Sequence, residues 1–130
     1  MISDTQQHRK QAINQYIAAY NGFDVEGMLE DLSEDVVFEN TSNGTITLRT
    51  EGKAAFREQA AAASKYFRER KQTITSWNFD GPKVTTSIAY RAVVAIDLPN
   101  GLSAGDHLQL DGTSEFIFAE GRIIRITDIS

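Results

Sequence analysis

"DGTSEFIFAEGRIIRITD", Asp111 to Asp128, decides the fold. It carries two runs of alternating residues on either side of Glu120-Gly121, a turn signal. In the first run Ser114, Phe116 and Phe118 share a side, which extends back to Leu110 and Leu108. In the second, Ile124, Ile126, Asp128 and Ser130 share one side, and Ile123, Arg125, Thr127 and Ile129 share the other. Period two means strands, so this is a hairpin. Its inward set ends in a carboxylate where a sheet packed on helices has its interior, and a carboxylate there must find partners or give up its charge.

The same period continues upstream. "QTITSWNF" (72–79) and "KVTTSIAYRAVVAI" (83–96) read as strands, with Ile88, Tyr90, Ala92, Val94 and Ile96 as the better apolar face of the second. Asp80-Gly81-Pro82 and Pro99-Asn100-Gly101 punctuate them. Earlier still, "DVVFEN" (35–40) is a strand by its β-branched and aromatic content, and Asn43-Gly44 turns it into "TITLRT" (45–50). Val36, Phe38 and Asn40 fall on one side of that strand, with Val37 and Glu39 opposite.

Helical spacing dominates the rest of the chain. Ile13, Tyr16, Ile17 and Tyr20 recur at i, i+3, i+4 and i+7 between a capping-box pair, Ser3 and Gln6, and a stop at Asn21-Gly22. "DVEGMLEDL" (24–32) is a short second helix with Asp24 as N-cap, weakened by Gly27. Gly52 to Phe67 is an Ala-rich third helix, in which Phe56, Ala60, Ala63 and Phe67 trace a face. Helices gathered early and long strands gathered late define an α+β fold, with the helices on one face of a curved antiparallel sheet. No linker or internal repeat divides residues 1–130, which are expected to form a single domain.

Composition narrows the function. A chain of 130 residues is long enough to bury about two thirds of its unfolded surface without disulfides or metals. Its formal charge of −5 disfavours nucleic acid, whose binding needs clustered Lys and Arg. The one basic cluster, "FRERK" (67–71), reads as a solvated helix end. No apolar run approaches a membrane span, and no basic segment leads into an apolar stretch, so a cytoplasmic protein without membrane contact is expected. Zero cysteines exclude thiol chemistry. No ligand spacing supports a metal, and no cofactor is expected.

Three strings, "YIAAYNGFDVEGMLEDLSEDVVFEN", "TEGKAAFRE" and "DGTSEFIFAEGRIIRITD", together resemble the nuclear transport factor 2-like superfamily, in its SnoaL-like and ketosteroid isomerase-like branch. The resemblance spans nearly the whole chain. It implies a conical barrel, in which a strongly bent sheet is closed by three helices around a pocket open at one end. It also implies a homodimer formed through the outer face of the sheet.

Laid on this sequence, the Tyr that ketosteroid isomerases use against their enolate falls on Tyr16, their Asp base on Asn40 and their protonated Asp on Ser114. An amide has no useful basicity near neutral pH, so the usual isomerase route lacks its base. The histidines expected of a scytalone dehydratase-like site do not converge, since His8 stands near the first helix start and His107 on an outer strand face. In a limonene epoxide hydrolase-like set, Asn40 and Arg91 suit two roles, but Val93 stands where an Asp is expected.

The remaining candidate catalytic set is Asp128, Tyr16 and Asn40, an acid or base with two hydrogen-bonding partners. This resembles the plan of SnoaL-like cyclases, in which a single Asp acts in an apolar pocket. Tyr20, Phe38, Phe56, Trp77, Tyr90, Ser114, Phe116 and Ile126 are the candidate ligand contacts. Each has a plainer reading: Tyr16 as a core aromatic, Asn40 as a turn-closing residue, Asp128 as a solvated residue near the chain end, and the aromatics as core. The expected function is a pocket for a small apolar or carbonyl-containing ligand, either an acid/base enzyme of isomerase, cyclase or dehydratase type or a noncatalytic binding or dimerisation module.

Overall fold

The structure, a computed structural model, describes residues 4–130. Ser3, the expected helix cap, lies outside the described residues. Helix α1 (Asp4–Asn21) is followed by α2 (Val25–Leu29), strands β1 (Leu32–Ser42) and β2 (Thr45–Glu51), helix α3 (Lys53–Ser64), and strands β3 (Phe67–Asp80), β4 (Lys83–Val94), β5 (His107–Ala119) and β6 (Arg122–Ile129). The six strands form one sheet in the order β2-β1-β6-β5-β4-β3. The expected α+β architecture is therefore present, with two amendments. The sheet does not close on itself, and its interior β1–β6 pair is parallel while its other pairs are antiparallel.

Helix α1 buries Ala12, Ile13, Tyr16, Ile17 and Ala19 against the sheet, the face its spacing predicts. Asn21 does more than end it. Its Nδ2 donates to the Gln72 carbonyl at 3.1 Å and its Oδ1 accepts the Gln72 amide at 2.7 Å, which ties the helix end to β3. Gly27, which weakens α2 on propensity, belongs there. Its amide reaches Asp24 Oδ1 at 3.0 Å, and a Cβ at that position would stand 2.3 Å from Asp24 Oδ2. The capping contact needs a residue without a side chain.

The core lies between α1, α3 and the inner face of the sheet. Ile13, Leu32, Val36, Val84, Phe116, Ile123 and Ile126 are fully buried there. Strand register orders this face into rungs. Phe38, Ile126, Phe116 and Val84 stand side by side across β1, β6, β5 and β4. One step along, Asn40, Asp128, Ser114 and Thr86 form a polar rung on the same face.

Several expectations of facing and extent are corrected. Ile124 is not inward but 37% exposed, because the β5–β6 register passes from Ile117–Arg125 to Phe118–Ile123 and skips it; that bulge turns Ile123 in and leaves the parity of Ile126 and Asp128 as expected. Ile96 lies beyond the end of β4 and is exposed, as is Leu110. The third helix stops at Ser64, and "FRERK" is the opening of β3, not a helix end. Among the described residues, no helix is long and apolar enough to cross a membrane.

Candidate active site

Tyr16, Asn40 and Asp128 line one cavity of about 330 Å³, at the small end of the range for small-molecule sites. Three elements bring them there: α1 carries Tyr16, β1 carries Asn40, and β6 carries Asp128 directly beside Asn40 in register. Phe38, Phe56 and Ala60 supply apolar wall. A second cavity of about 180 Å³ adjoins it, sharing Tyr20, Asn40 and Asp128 and adding Tyr90 and Ser114.

Asp128 borders both cavities. Ser114 Oγ donates to its Oδ1 at 2.6 Å, a short charge-assisted bond from the neighbouring strand. The carboxyl keeps some accessible surface, but that surface lies against the two cavities. Desolvation raises its pKa to about 6, opposed in part by the Ser114 hydrogen bond, which favours the charged form. A group at that value takes and returns protons near neutral pH.

Tyr16 is 5% exposed and packs edge-on to Phe116, with ring centroids 5.9 Å apart. Burial raises its pKa well above the ordinary phenol value, and the Asp128 charge raises it further. It therefore remains a neutral donor at any physiological pH. Tyr20 donates to the Tyr90 hydroxyl at 3.0 Å, and burial raises the pKa of both phenols.

Asn40 Nδ2 donates to Thr47 Oγ1 at 2.8 Å, and Thr47 Oγ1 donates back to the Asn40 carbonyl at 3.2 Å. The amide is thus clamped to β2 while its side chain borders both cavities. What it offers a ligand is an oriented amide oxygen.

Of the other candidate contacts, Tyr20, Phe38, Phe56, Tyr90 and Ser114 border one or both cavities. Phe116 and Ile126 do not: both are 0% exposed and sealed in the rung beneath. Trp77 borders neither cavity: it stacks on Phe79 at 5.9 Å with Lys10 over its ring, on the edge strand β3. His107 opens β5 on an exposed position and His8 bonds the Gly121 carbonyl on the surface, so neither joins Asp128. Arg91 is exposed on β4. Among the described residues, no group of three or more acidic, His or Cys side chains is placed to hold a metal ion.

Sequence reasoning missed Arg70. It lines the larger cavity and is 5% exposed, with Nε donating to the Tyr20 carbonyl at 2.8 Å. The signal was available: counting back by twos from Ile74 puts Gln72 and Arg70 on one strand face. Reading "FRERK" as a helix end hid it.

Three helices packed on an open six-stranded sheet, with an acid, phenols and an amide around one cavity, describe an α+β pocket architecture. The chain matches the SnoaL-like domain family over residues 13–126 and belongs to it. Among curated proteins none matches the sequence. Among solved structures, a candidate SnoaL-like polyketide cyclase from Jannaschia sp. CCS1 is similar at a TM-score of 0.83 and 12% identity, covering 98% of this chain and 88% of that one. A candidate polyketide cyclase from Xanthomonas campestris pv. campestris is similar at 0.81 and 24% identity, covering 98% and 93%. TerC, co-crystallised with polyporic acid, is similar at 0.74 and 19% identity, covering 94% and 90%. At these identities the likeness is one of fold. Cystatin-fold and ketosteroid isomerase-like proteins stand among the same neighbours.

Proposed function

We propose that this protein is an acid/base enzyme of isomerase, cyclase or dehydratase type acting on a small apolar carbonyl compound, with Asp128 as its proton-transferring group. The observation that carries this reading is the setting of Asp128: a carboxyl with a pKa of about 6, bonded by Ser114 and bordering the cavity that Tyr16 also borders. Ionised Asp128 removes a proton from the carbon beside the substrate carbonyl. The C–H electron pair moves into the new C–C double bond, and the carbonyl π pair moves to oxygen. Tyr16 donates a hydrogen bond to that oxygen, and the amide oxygen of Asn40 orients a substrate hydroxyl. The proton on Asp128 is then returned to carbon, or to a departing hydroxide, according to the substrate. The cyclase-like neighbours support this class of chemistry by fold alone.

The experiment is hydrogen–deuterium exchange at the α-carbon of 1-phenyl-1,3-butanedione, followed by NMR in D2O. The protein should accelerate exchange, and Asp128→Asn should return the rate to that of buffer. Binding of the diketone without acceleration would favour the alternative, a noncatalytic ligand-binding module.

The same proposal takes the protein to be a single cytoplasmic domain and a homodimer through the outer sheet face. Exposed Ile124 lies there near Val37. Light scattering on the eluted protein tests the dimer, and Ile124→Lys should split it.

A further inference from the structure

Arg70 is a buried cation with no carboxylate partner among the described residues. Its Nε is held by the Tyr20 carbonyl, and its guanidinium carbon sits 3.8 Å from the Tyr20 ring centroid and 4.5 Å from that of Phe23. These contacts fix the plane of the group without neutralising it. Its Nη2 is buried with no hydrogen-bond partner. Among the described residues no carboxylate pairs with it, whereas Arg49, Arg57 and Arg125 each have one. A buried charge without a partner is strongly unfavourable.

A purely structural brace would need only Nε and the flat face. Nη2 is left over, on a side chain that lines the larger cavity. Gln72, two residues along the strand, has a buried Oε1 that likewise lacks a partner, and it borders the adjoining cavity. Among the described residues Asp128 forms no ion pair with Arg70; its Oδ1 accepts the Ser114 hydroxyl instead. The site therefore has two separate poles, a proton-transferring acid on β6 and a fixed cation on β3.

We propose that Arg70 binds an anionic group of the ligand, a carboxylate received by the guanidinium fork, while the apolar body lies against Phe38, Phe56 and Ala60. Arg suits this task because its planar donors match a carboxylate and its charge persists at every physiological pH. The inference rests on the cavity being the substrate site, and it narrows the substrate from a carbonyl compound to one that also carries a carboxylate. Asp128 then works on carbon while Arg70 holds the acid.

The test compares 2-naphthoate with its neutral counterpart 2-naphthamide, by fluorescence titration and thermal shift. The unmodified protein should bind the naphthoate at least about tenfold more tightly. In Arg70→Gln the ratio should fall to near one with the naphthamide affinity kept, and Ala60→Trp, which fills the cavity, should abolish both. Arg70→Met, of similar length and able to lie on Tyr20, replaces Arg70→Gln should that variant not fold. A ratio near one in the unmodified protein, or a preference that survives loss of Arg70, overturns the proposal. Naphthamide binding without a naphthoate preference sinks the anion site alone. Failure of both probes to bind sinks the cavity reading with it.

Discussion

Replacing Asp128 by Asn removes a charge while leaving an oxygen that can still accept the Ser114 hydroxyl, so the variant isolates the cost of keeping that charge in the cavity wall. The folded pKa is about 6 against an ordinary 3.8. Because the folded value is the higher, the native state holds the proton more tightly than the unfolded chain. The stabilising contribution is complete below pH 3.8 and is lost as the pH rises through about 6. A separation of about two units corresponds to about 3 kcal/mol at pH 8. Roughly half of this is already lost by pH 5. Urea unfolding at a series of pH values measures it. With a slope of about 1–3 kcal/mol per molar for a small protein, Asp128→Asn should unfold roughly 1–3 M later than the unmodified protein at pH 8. The two midpoints should converge near pH 3.5. Curves that stay parallel from pH 3 to pH 8 would refute the reasoning, since the carboxyl would then be as well hydrated folded as unfolded.

Ser114→Ala removes a hydrogen bond that favours the ionised form, so the midpoint of the Asp128-dependent pH profile, followed by the exchange assay or by NMR of the carboxyl carbon, should move upward. Asn21→Ala should destabilise the fold by about 1–3 kcal/mol in urea unfolding, because the Gln72 amide loses its acceptor at the α1–β3 junction. Phe116→Ala, at a 0% exposed position in the apolar rung, should cost about 3–5 kcal/mol by the same measurement.

The path from sequence to site was short where alternation runs unbroken. Val36, Phe38 and Asn40 on β1, and Ser114, Phe116 and Phe118 on β5, face as period two requires, because one sheet face meets the helices and the other does not. Ile124 failed because a bulge inserts one residue, a feature that leaves no mark in hydrophobic pattern when both Ile123 and Ile124 are apolar. Arg70 failed for a different reason. Local composition favours a solvated end for a run of three basic residues out of four, and the contacts that hold one of them inside, the rings of Tyr20 and Phe23, come from a distant helix end that the local sequence does not reveal. Trp77 is offered with the other aromatics as a cavity contact, but it lies in the rung of Asp128 further out, on the edge strand β3, where it stacks on Phe79 outside the cavity.

Under the proposed function, the polar rung accounts for an amide standing at Asn40, where the resemblance places an isomerase base, with the acid on the neighbouring strand. Asn40 and Asp128 are register neighbours on parallel strands, and adjacent strands lie about 4.8 Å apart. Moving the carboxylate from β1 to β6 shifts the proton-transferring group sideways by about one strand spacing and keeps it on the same cavity. Two carboxylates on that rung would oppose each other's ionisation, so the acid on β6 fits best with a neutral residue on β1. Asn40→Asp therefore should not restore a conventional base. It should instead raise the pKa of the pair's last proton above that of Asp128 alone and reduce stability at pH 8, both measurable by the same titration and unfolding series. An Asn40→Asp protein that titrates at the value of the unmodified one and unfolds at the same urea concentration would mean the two side chains do not share an environment.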